Sequence, residues 1–312
     1  MGHTGELEVV KLSAEAEVVL TRCLKTIEGR AVIGGGSSGG EGGGFRPDAT
    51  AWAVIAQRAS GTAADSLYPA REKLAKVQAS DGSVRISPDF AGTIWPTPLA
   101  VLAWQGEAPF AEAGSRATNY LLASGGLHRD RRRDDAAVAV NPRLRGWSWV
   151  TGTFSWVEPT AMAMMALSAA GHFGHPRVRE GVAMLLDRQV REGGWNFGET
   201  RVYQSERTAL PETTGLVMVA LRDHVPRETM DRAIVYVRRI VGRHRTPLAL
   251  GWCLLGLAAW GEEPEQAYGW IAECLDRQSS YGPYDTTHLA LLALACMAHN
   301  SEVGPLFSGV RQ

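Results

Sequence analysis

EGGGFRPDATAWAVIA (residues 41–56) sets a single acid, Asp48, between a glycine-rich run and an apolar segment that reads as the start of a helix, and its last nine residues recur along the chain. Aligned on threonine, the segment DATAWAVIA (48–56) returns without gaps as WPTPLAVLA (95–103), EPTAMAMMA (158–166), ETTGLVMVA (212–220), HRTPLALGW (244–252) and DTTHLALLA (285–293). Three residues beyond each threonine stands a small residue or valine: Ala53, Ala100, Ala163, Val217, Ala249 and Ala290. Six beyond it stands Ala56, Ala103, Ala166, Ala220 or Ala293, with Trp252 as the exception. Residues three apart share one face of a helix, so these helices present a small face on which neighbours approach closely.

Each segment is apolar nearly all round, the mark of a helix buried on every side. Gly61, Gly106, Gly171 and Gly261 follow four of the six where a helix takes a left-handed cap. Between the apolar segments lie amphipathic ones, such as VREGVAMLLDRQ (178–189) and MDRAIVYVRRIV (230–241), with LSAEAEVVLTRCLKTI (12–27) leading the chain. The pattern predicts six inner helices alternating with six outer ones. The threonines lie 32 to 63 residues apart, a spacing expected of helix pairs with loops of variable length. Such pairs either close into a ring or stack as an open solenoid.

Composition narrows the function classes. The chain has 312 residues, 45% of them hydrophobic, enough for a large core as one big domain or two small ones, and the closed-ring reading takes residues 1–312 as a single domain. Its 32 basic and 33 acidic residues nearly cancel, which leaves no overall field to attract nucleic acid, so no nucleic-acid partner is expected. Cys23, Cys253, Cys274 and Cys296 are far apart and form no CxxC pair; they read as buried thiols of a reducing compartment. MGHTGELEVV (1–10) carries no signal-peptide pattern, and cytoplasmic is the expected location. A peripheral membrane contact, a protein partner and a homo-oligomer all stay open at this point.

The loop reading decides between ring and solenoid. GVAMLLDRQVREGGW (181–195) sets glycine, an apolar pair, glutamine, glycine and tryptophan in an order that resembles the QW motif of squalene and oxidosqualene cyclases. VQASDGSV (77–84) and RQSSYGPY (277–284) are weaker copies, with Val84 and Tyr284 in the tryptophan position. The resemblance, to the prenyltransferase and squalene-cyclase repeat family, runs from about residue 12 to residue 300. It implies an all-α fold, an α/α toroid of six hairpins, with a central apolar cavity for a hydrophobic small molecule, an isoprenoid or lipid. It implies no cofactor.

Cyclases of that kind begin by protonating an alkene or epoxide with an aspartic acid at an inner-helix start, held in DxDD or in D-C-T-A. Asp48-Ala49-Thr50-Ala51 is similar to the second pattern, and DxDD is absent. The resemblance therefore makes Asp48 the candidate catalytic acid, and Trp52, Trp95, Trp149 and Trp156 the candidate aromatic wall for a cationic intermediate. A structural reading stands beside it. Two residues before the anchoring threonine the segments carry Asp48, Trp95, Glu158, Glu212, His244 and Asp285. Acids at a helix N-terminus are favoured by the dipole and cap free amides, and four of these six are acids. If all six helices run the same way, these residues gather at one mouth, so Glu158, Glu212, His244 and Asp285 join the tryptophans as candidate ligand contacts.

No metal is expected. The D-x-C zinc pattern of prenyltransferase β subunits is missing, and Asp285 with His288 gives a D-x-x-H pair lacking a third ligand. RDRRRDD (129–135) is not DDxxD and reads as a solvated loop, while GGGSSGGEGGG (34–44) lacks a P-loop's G-K-[ST] and reads as a flexible loop or lid. Two functions remain from this reading: a protonation-initiated terpene cyclase, or a non-catalytic lipid- or peptide-binding toroid, with a prenyltransferase β-like subunit that needs a partner as a further variant.

Overall fold

The structure is a computed structural model that describes residues 13–90, 92–130, 140–203 and 205–298. The N-terminal stretch 1–10 and positions 131–135 of RDRRRDD lie outside the described residues. The helices are α1 (Ala14–Glu28), α2 (Pro47–Ala59), α3 (Ala64–Lys76), α4 (Pro96–Trp104), α5 (Ala111–Ala123) and α6 (Val157–Leu167). They continue as α7 (Pro176–Asp187), α8 (Pro211–Leu221), α9 (Arg227–Ile240), α10 (Pro247–Ala258), α11 (Ala267–Asp276), the one-turn α12 (Gln278–Tyr281) and α13 (Thr286–Ala298). A two-residue hairpin, β1 (Arg201–Val202) with β2 (Ser205–Glu206), decorates the loop before α8.

The predicted inner helices are α2, α4, α6, α8, α10 and α13. Each packs on the next, and α13 packs back on α2, so the ring is closed. The outer helices α1, α3, α5, α7, α9 and α11 each lie against an inner one. This double ring is the α/α toroid. The inner helices are buried on nearly every face, as their uniform apolarity requires, and their small faces set the spacing. A Cβ on Gly215 would sit 2.2 Å from the Trp252 carbonyl oxygen, so only glycine lets α8 come this close to α10. Gly61, Gly106, Gly171 and Gly261 all take positive φ just past inner helices, as the caps predicted.

Four of the six anchoring threonines hold their inner helix to the loop that feeds it. The hydroxyls of Thr50, Thr97, Thr160 and Thr214 accept from the backbone N–H of Ser37, Val84, Trp147 and Trp195 at 2.8, 3.0, 2.9 and 2.9 Å. Each of the four also donates to a backbone carbonyl, as Thr214 does to Leu210 at 2.7 Å. Two of the residues so held, Trp147 and Trp195, then reach outward, as does Tyr284, whose N–H donates to Gln278 Oε1 at 2.8 Å. Trp195 Nε1 donates to the Leu185 carbonyl in the last turn of α7 at 2.7 Å, Trp147 Nε1 to Leu121 in α5 at 2.9 Å, and the Tyr284 hydroxyl to Cys274 in α11 at 2.8 Å. The last-turn carbonyls of these outer helices thus gain an aromatic donor beside the local donors they already have. Gln189 serves the turn itself, donating to Gly193 O at 2.6 Å. Gly193, at φ 104°, brings that turn onto α9, where a Cβ would lie 2.6 Å from the Arg232 carbonyl.

Residues 34–44 differ from the expected flexible loop. Positions 36–39 are buried and form the seam that closes the ring. Thr286 Oγ1 donates to Ser38 O at 2.6 Å, and Arg30 donates to Gly39 O, Thr286 Oγ1 and Tyr284 O at 3.1, 3.1 and 2.6 Å. Glycine serves close approach here, since a Cβ on Gly36 would press on the Phe45 ring and Thr50 Oγ1. The four cysteines are buried and unpaired, and burial pushes their thiols up, Cys23 and Cys296 to about 12.

Replacing Trp195 by Phe keeps the ring and removes the indole donor from the Leu185 carbonyl, which retains Arg188 N at 3.1 Å. Denaturant unfolding is expected to show a loss of about 0.5–1.5 kcal/mol, the net worth of one buried hydrogen bond; no loss would mean that the indole bond does not hold the loop to α7.

Candidate functional site

The inner helices deliver their first two turns to one end of the ring, and a cavity of about 300 Å³ opens there. Small-molecule sites span roughly 300–1,000 Å³, so this one suits a compact ligand. Its wall is mainly aromatic and aliphatic. Trp52, Trp95, Trp147, Trp149 and Trp252 supply the indoles, and Met162, Leu216, Leu248 and Leu291 fill the gaps between them. Trp52 meets Trp252 edge to face at 5.9 Å across the ring, and Trp95 meets Trp149 in the same way at 6.2 Å.

Four polar side chains line this wall: Ser148, Glu158, Glu212 and Thr287. The two glutamates occupy the second position of α6 and of α8, the place of Asp48 in α2. Fully buried Thr213, the neighbour of Glu212, donates its hydroxyl to Glu158 Oε1 at 2.9 Å and so ties α6 to α8. Burial pushes the Glu158 carboxyl above its ordinary value of 4.5; the Thr213 hydrogen bond opposes this, and the nearby Glu212 charge reinforces it.

Asp48 does something else. It is 2% exposed and not part of the cavity wall. Both its oxygens accept from Arg46, Oδ1 from Nε at 3.0 Å and Oδ2 from Nη2. Arg46 Nη1 also donates to Asp285 Oδ2 at 3.0 Å. This bidentate hold occupies both oxygens away from the cavity, where a proton donor would have to face the substrate. The expectation of Asp48 as the acid is corrected accordingly: the residue stitches the α2 start to the α13 start. Asp285 completes that stitch and caps α13, accepting from Thr287 N at 2.8 Å, so its carboxylate is not free for the D-x-x-H metal reading with His288. Among the described residues no group of three or more His, Cys, Asp or Glu converges.

Two further expected contacts lie elsewhere. His244 is half-buried and outside the wall. Trp156 is 37% exposed and borders a separate cavity with Phe154, Phe197 and Arg188. The expected contacts that the fold does bring together at the wall are Trp52, Trp95, Trp149, Glu158 and Glu212. Among those not expected, Trp252 had a visible signal, because it is the one large residue in the alanine register. Ser148 had none.

With the geometry in place, comparison with solved structures gives the architecture's relatives. A variant of the type II terpene cyclase MstE from Scytonema, bound to its substrate geranylgeranyl dihydroxybenzoate, matches at TM-score 0.61 and 13% identity over 94% of this chain and 98% of that one. The shared feature is the fold. A protein from Actinoplanes matches at TM-score 0.57 and 17% identity, over 91% and 98% of the two chains. An α-1,6-mannanase from a Salegentibacter species, bound to α-1,6-mannotriose, matches at TM-score 0.61 and 12% identity, over 91% and 99%. No protein-family model matches the chain, and no curated protein matches its sequence. Among the described residues no helix is long and apolar enough to cross a membrane.

Because Glu158 holds its proton more tightly folded than unfolded, its contribution to stability is complete below 4.5 and is lost as pH rises through its raised folded value. Thermal unfolding at about pH 7 is expected to show Glu158→Gln at least as stable as wild type, with the advantage vanishing at about pH 4. Asp48→Asn is expected to lose about 1–2 kcal/mol at neutral pH, a charge-assisted hydrogen bond discounted for the partly exposed Arg46. A destabilised Glu158→Gln at neutral pH would show that its charged form is the one the fold favours.

Proposed function

We propose that the central cavity binds an isoprenoid and that the protein is a protonation-initiated terpene cyclase in which Glu158, rather than Asp48, is the acid. The observation that carries this reading is a desolvated carboxyl with a raised pKa set in a tryptophan wall. Thr213 occupies Oε1, which leaves Oε2 to carry the acidic proton.

The chemistry balances within the pair of glutamates. The Glu158 proton forms a C–H bond using an alkene's π electrons, and the neighbouring carbon becomes cationic. A second alkene of the same chain closes a C–C bond onto that carbon. The final cation loses a proton to Glu212, which releases it to solvent while Glu158 takes up one proton from solvent between turnovers, so product and substrate are isomers. Indole faces stabilise each cation, and exclusion of water prevents its capture as an alcohol.

Two carboxylates between tryptophans also occur in glycoside hydrolysis, and a mannanase shares the fold. The wall argues against a sugar. Among the described residues Ser148 and Thr287 are the only polar side chains there besides the glutamates, and sugar hydroxyls buried without partners are costly. A cavity that binds without turnover needs no raised acid, so the binding-only reading leaves Glu158 unexplained.

Incubation with farnesol, geranylgeraniol, squalene, oxidosqualene and α-1,6-mannobiose, followed by mass spectrometry, is expected to give a cyclic isomer of an isoprenoid. Glu158→Gln is expected to lose at least about a hundredfold in rate, within the range for general acids, while Asp48→Asn retains activity. The rate is expected to fall about tenfold per pH unit above the raised Glu158 value. Equal turnover by wild type and Glu158→Gln, or loss confined to Asp48→Asn, would overturn the assignment.

A further inference from the structure

The cavity wall carries a charge pattern that restricts the ligand further. Among the described residues its ionisable groups are Glu158 and Glu212, and the lining includes no lysine, arginine or histidine. An anionic head group placed inside would meet carboxyl groups in a low-dielectric space with no cation to offset it. Among the described residues, one hydroxyl of the wall is buried without a hydrogen-bond partner. Ser148 is 2% exposed, and its Oγ is buried with no hydrogen-bond partner. Buried hydroxyls normally have one, and a vacant one on a cavity wall calls for a partner on the ligand.

Its backbone is fixed on both sides. Trp147 N donates to Thr160 Oγ1 at 2.9 Å, Trp156 N donates to Trp147 O at 2.9 Å, and the Arg177 guanidinium stacks 4.1 Å from the Trp147 ring centroid. On the other side Trp149 is braced against Trp95. Ser148 is therefore held by its neighbours' contacts, and rotation about Cα–Cβ is the freedom left to its buried hydroxyl. A serine kept there, where alanine would fill the same apolar wall, is explained by a polar atom on the occupant.

We propose that the ligand of this cavity is an uncharged isoprenoid bearing one oxygen function, a hydroxyl, carbonyl or epoxide, which Ser148 hydrogen-bonds, and that prenyl diphosphates are excluded. This rests on the isoprenoid reading above and narrows it to a substrate class. Ser148 acts as a specificity-determining residue, apart from the proton transfer assigned to Glu158.

Three ligands of one chain length separate the possibilities: farnesol, farnesyl diphosphate and β-farnesene, titrated against the full-length protein by tryptophan fluorescence and confirmed by calorimetry. Wild type is expected to bind farnesol about tenfold more tightly than either of the others, the difference one well-placed hydrogen bond supplies. Ser148→Ala is expected to lose most of the preference for farnesol over farnesene while its farnesene affinity is unchanged, which also shows that the cavity is intact. Glu212→Gln is expected to narrow the gap between farnesol and the diphosphate. Diphosphate binding as tight as farnesol, or a farnesol-to-farnesene ratio untouched in Ser148→Ala, overturns the proposal and leaves the isoprenoid reading standing. Absence of binding by all three to wild type overturns that reading and this one together.

Discussion

The hydroxyl of a threonine in the first turns of an inner helix, accepting an N–H from the preceding loop and donating to a carbonyl, is the interaction on which the rest of this molecule depends. Thr50, Thr97, Thr160 and Thr214 all make it, and all four are completely buried. Because the bond fixes a loop residue against a helix start, it sets two things at once. The held residue reaches out to an outer helix, as Trp147 and Trp195 do, and the residue two before the threonine is placed at the mouth of the ring. Glu158 and Glu212 owe their positions to this register. So does Ser148, which follows the residue held by Thr160.

The same register explains which parts of the molecule could be read in the sequence. The double ring was legible because the constraint is periodic: threonine, a small residue three later, alanine six later and a glycine cap recur wherever close helix packing demands them. The cavity was half legible. Trp52, Trp95, Trp149, Glu158 and Glu212 stand at helix starts or loop ends whose position follows from the repeat. Asp48 occupies the same register yet turns away, because Arg46, two residues earlier, takes both of its oxygens. The letters RPD hold both partners, but the choice between a cavity and an ion pair is made in three dimensions. His244 likewise shares the register without reaching the wall. Trp252 was visible as a break in the alanine pattern, whereas Ser148, a small polar residue between two tryptophans, belongs to no period.

Closure and chemistry divide the acids at this end of the ring between two tasks. Asp48 and Asp285 meet on Arg46 at the seam where the first and last inner helices join, and their charge is answered there. Glu158 and Glu212 have no arginine or lysine beside them in the wall, and burial drives the Glu158 carboxyl toward its protonated form. Keeping an acid in an apolar, aromatic space works against stability at neutral pH. A fold retains such a cost where function needs the proton. Paired acids suit the seam, since an ion pair fixes geometry; on the proposed reading a carboxyl without a cation beside it suits the cavity, since burial favours the form that carries the proton.

Proton transfer from Glu158 to a substrate carbon is therefore the claim to test first. Reaction in deuterium oxide labels it directly, because the exchangeable carboxyl proton becomes a deuteron before transfer. The cyclic product of wild-type protein is expected to carry one carbon-bound deuterium, at the carbon that was protonated, and Glu158→Gln is expected to form no labelled product. A cyclic product without carbon-bound deuterium, or full labelling by Glu158→Gln, would contradict it.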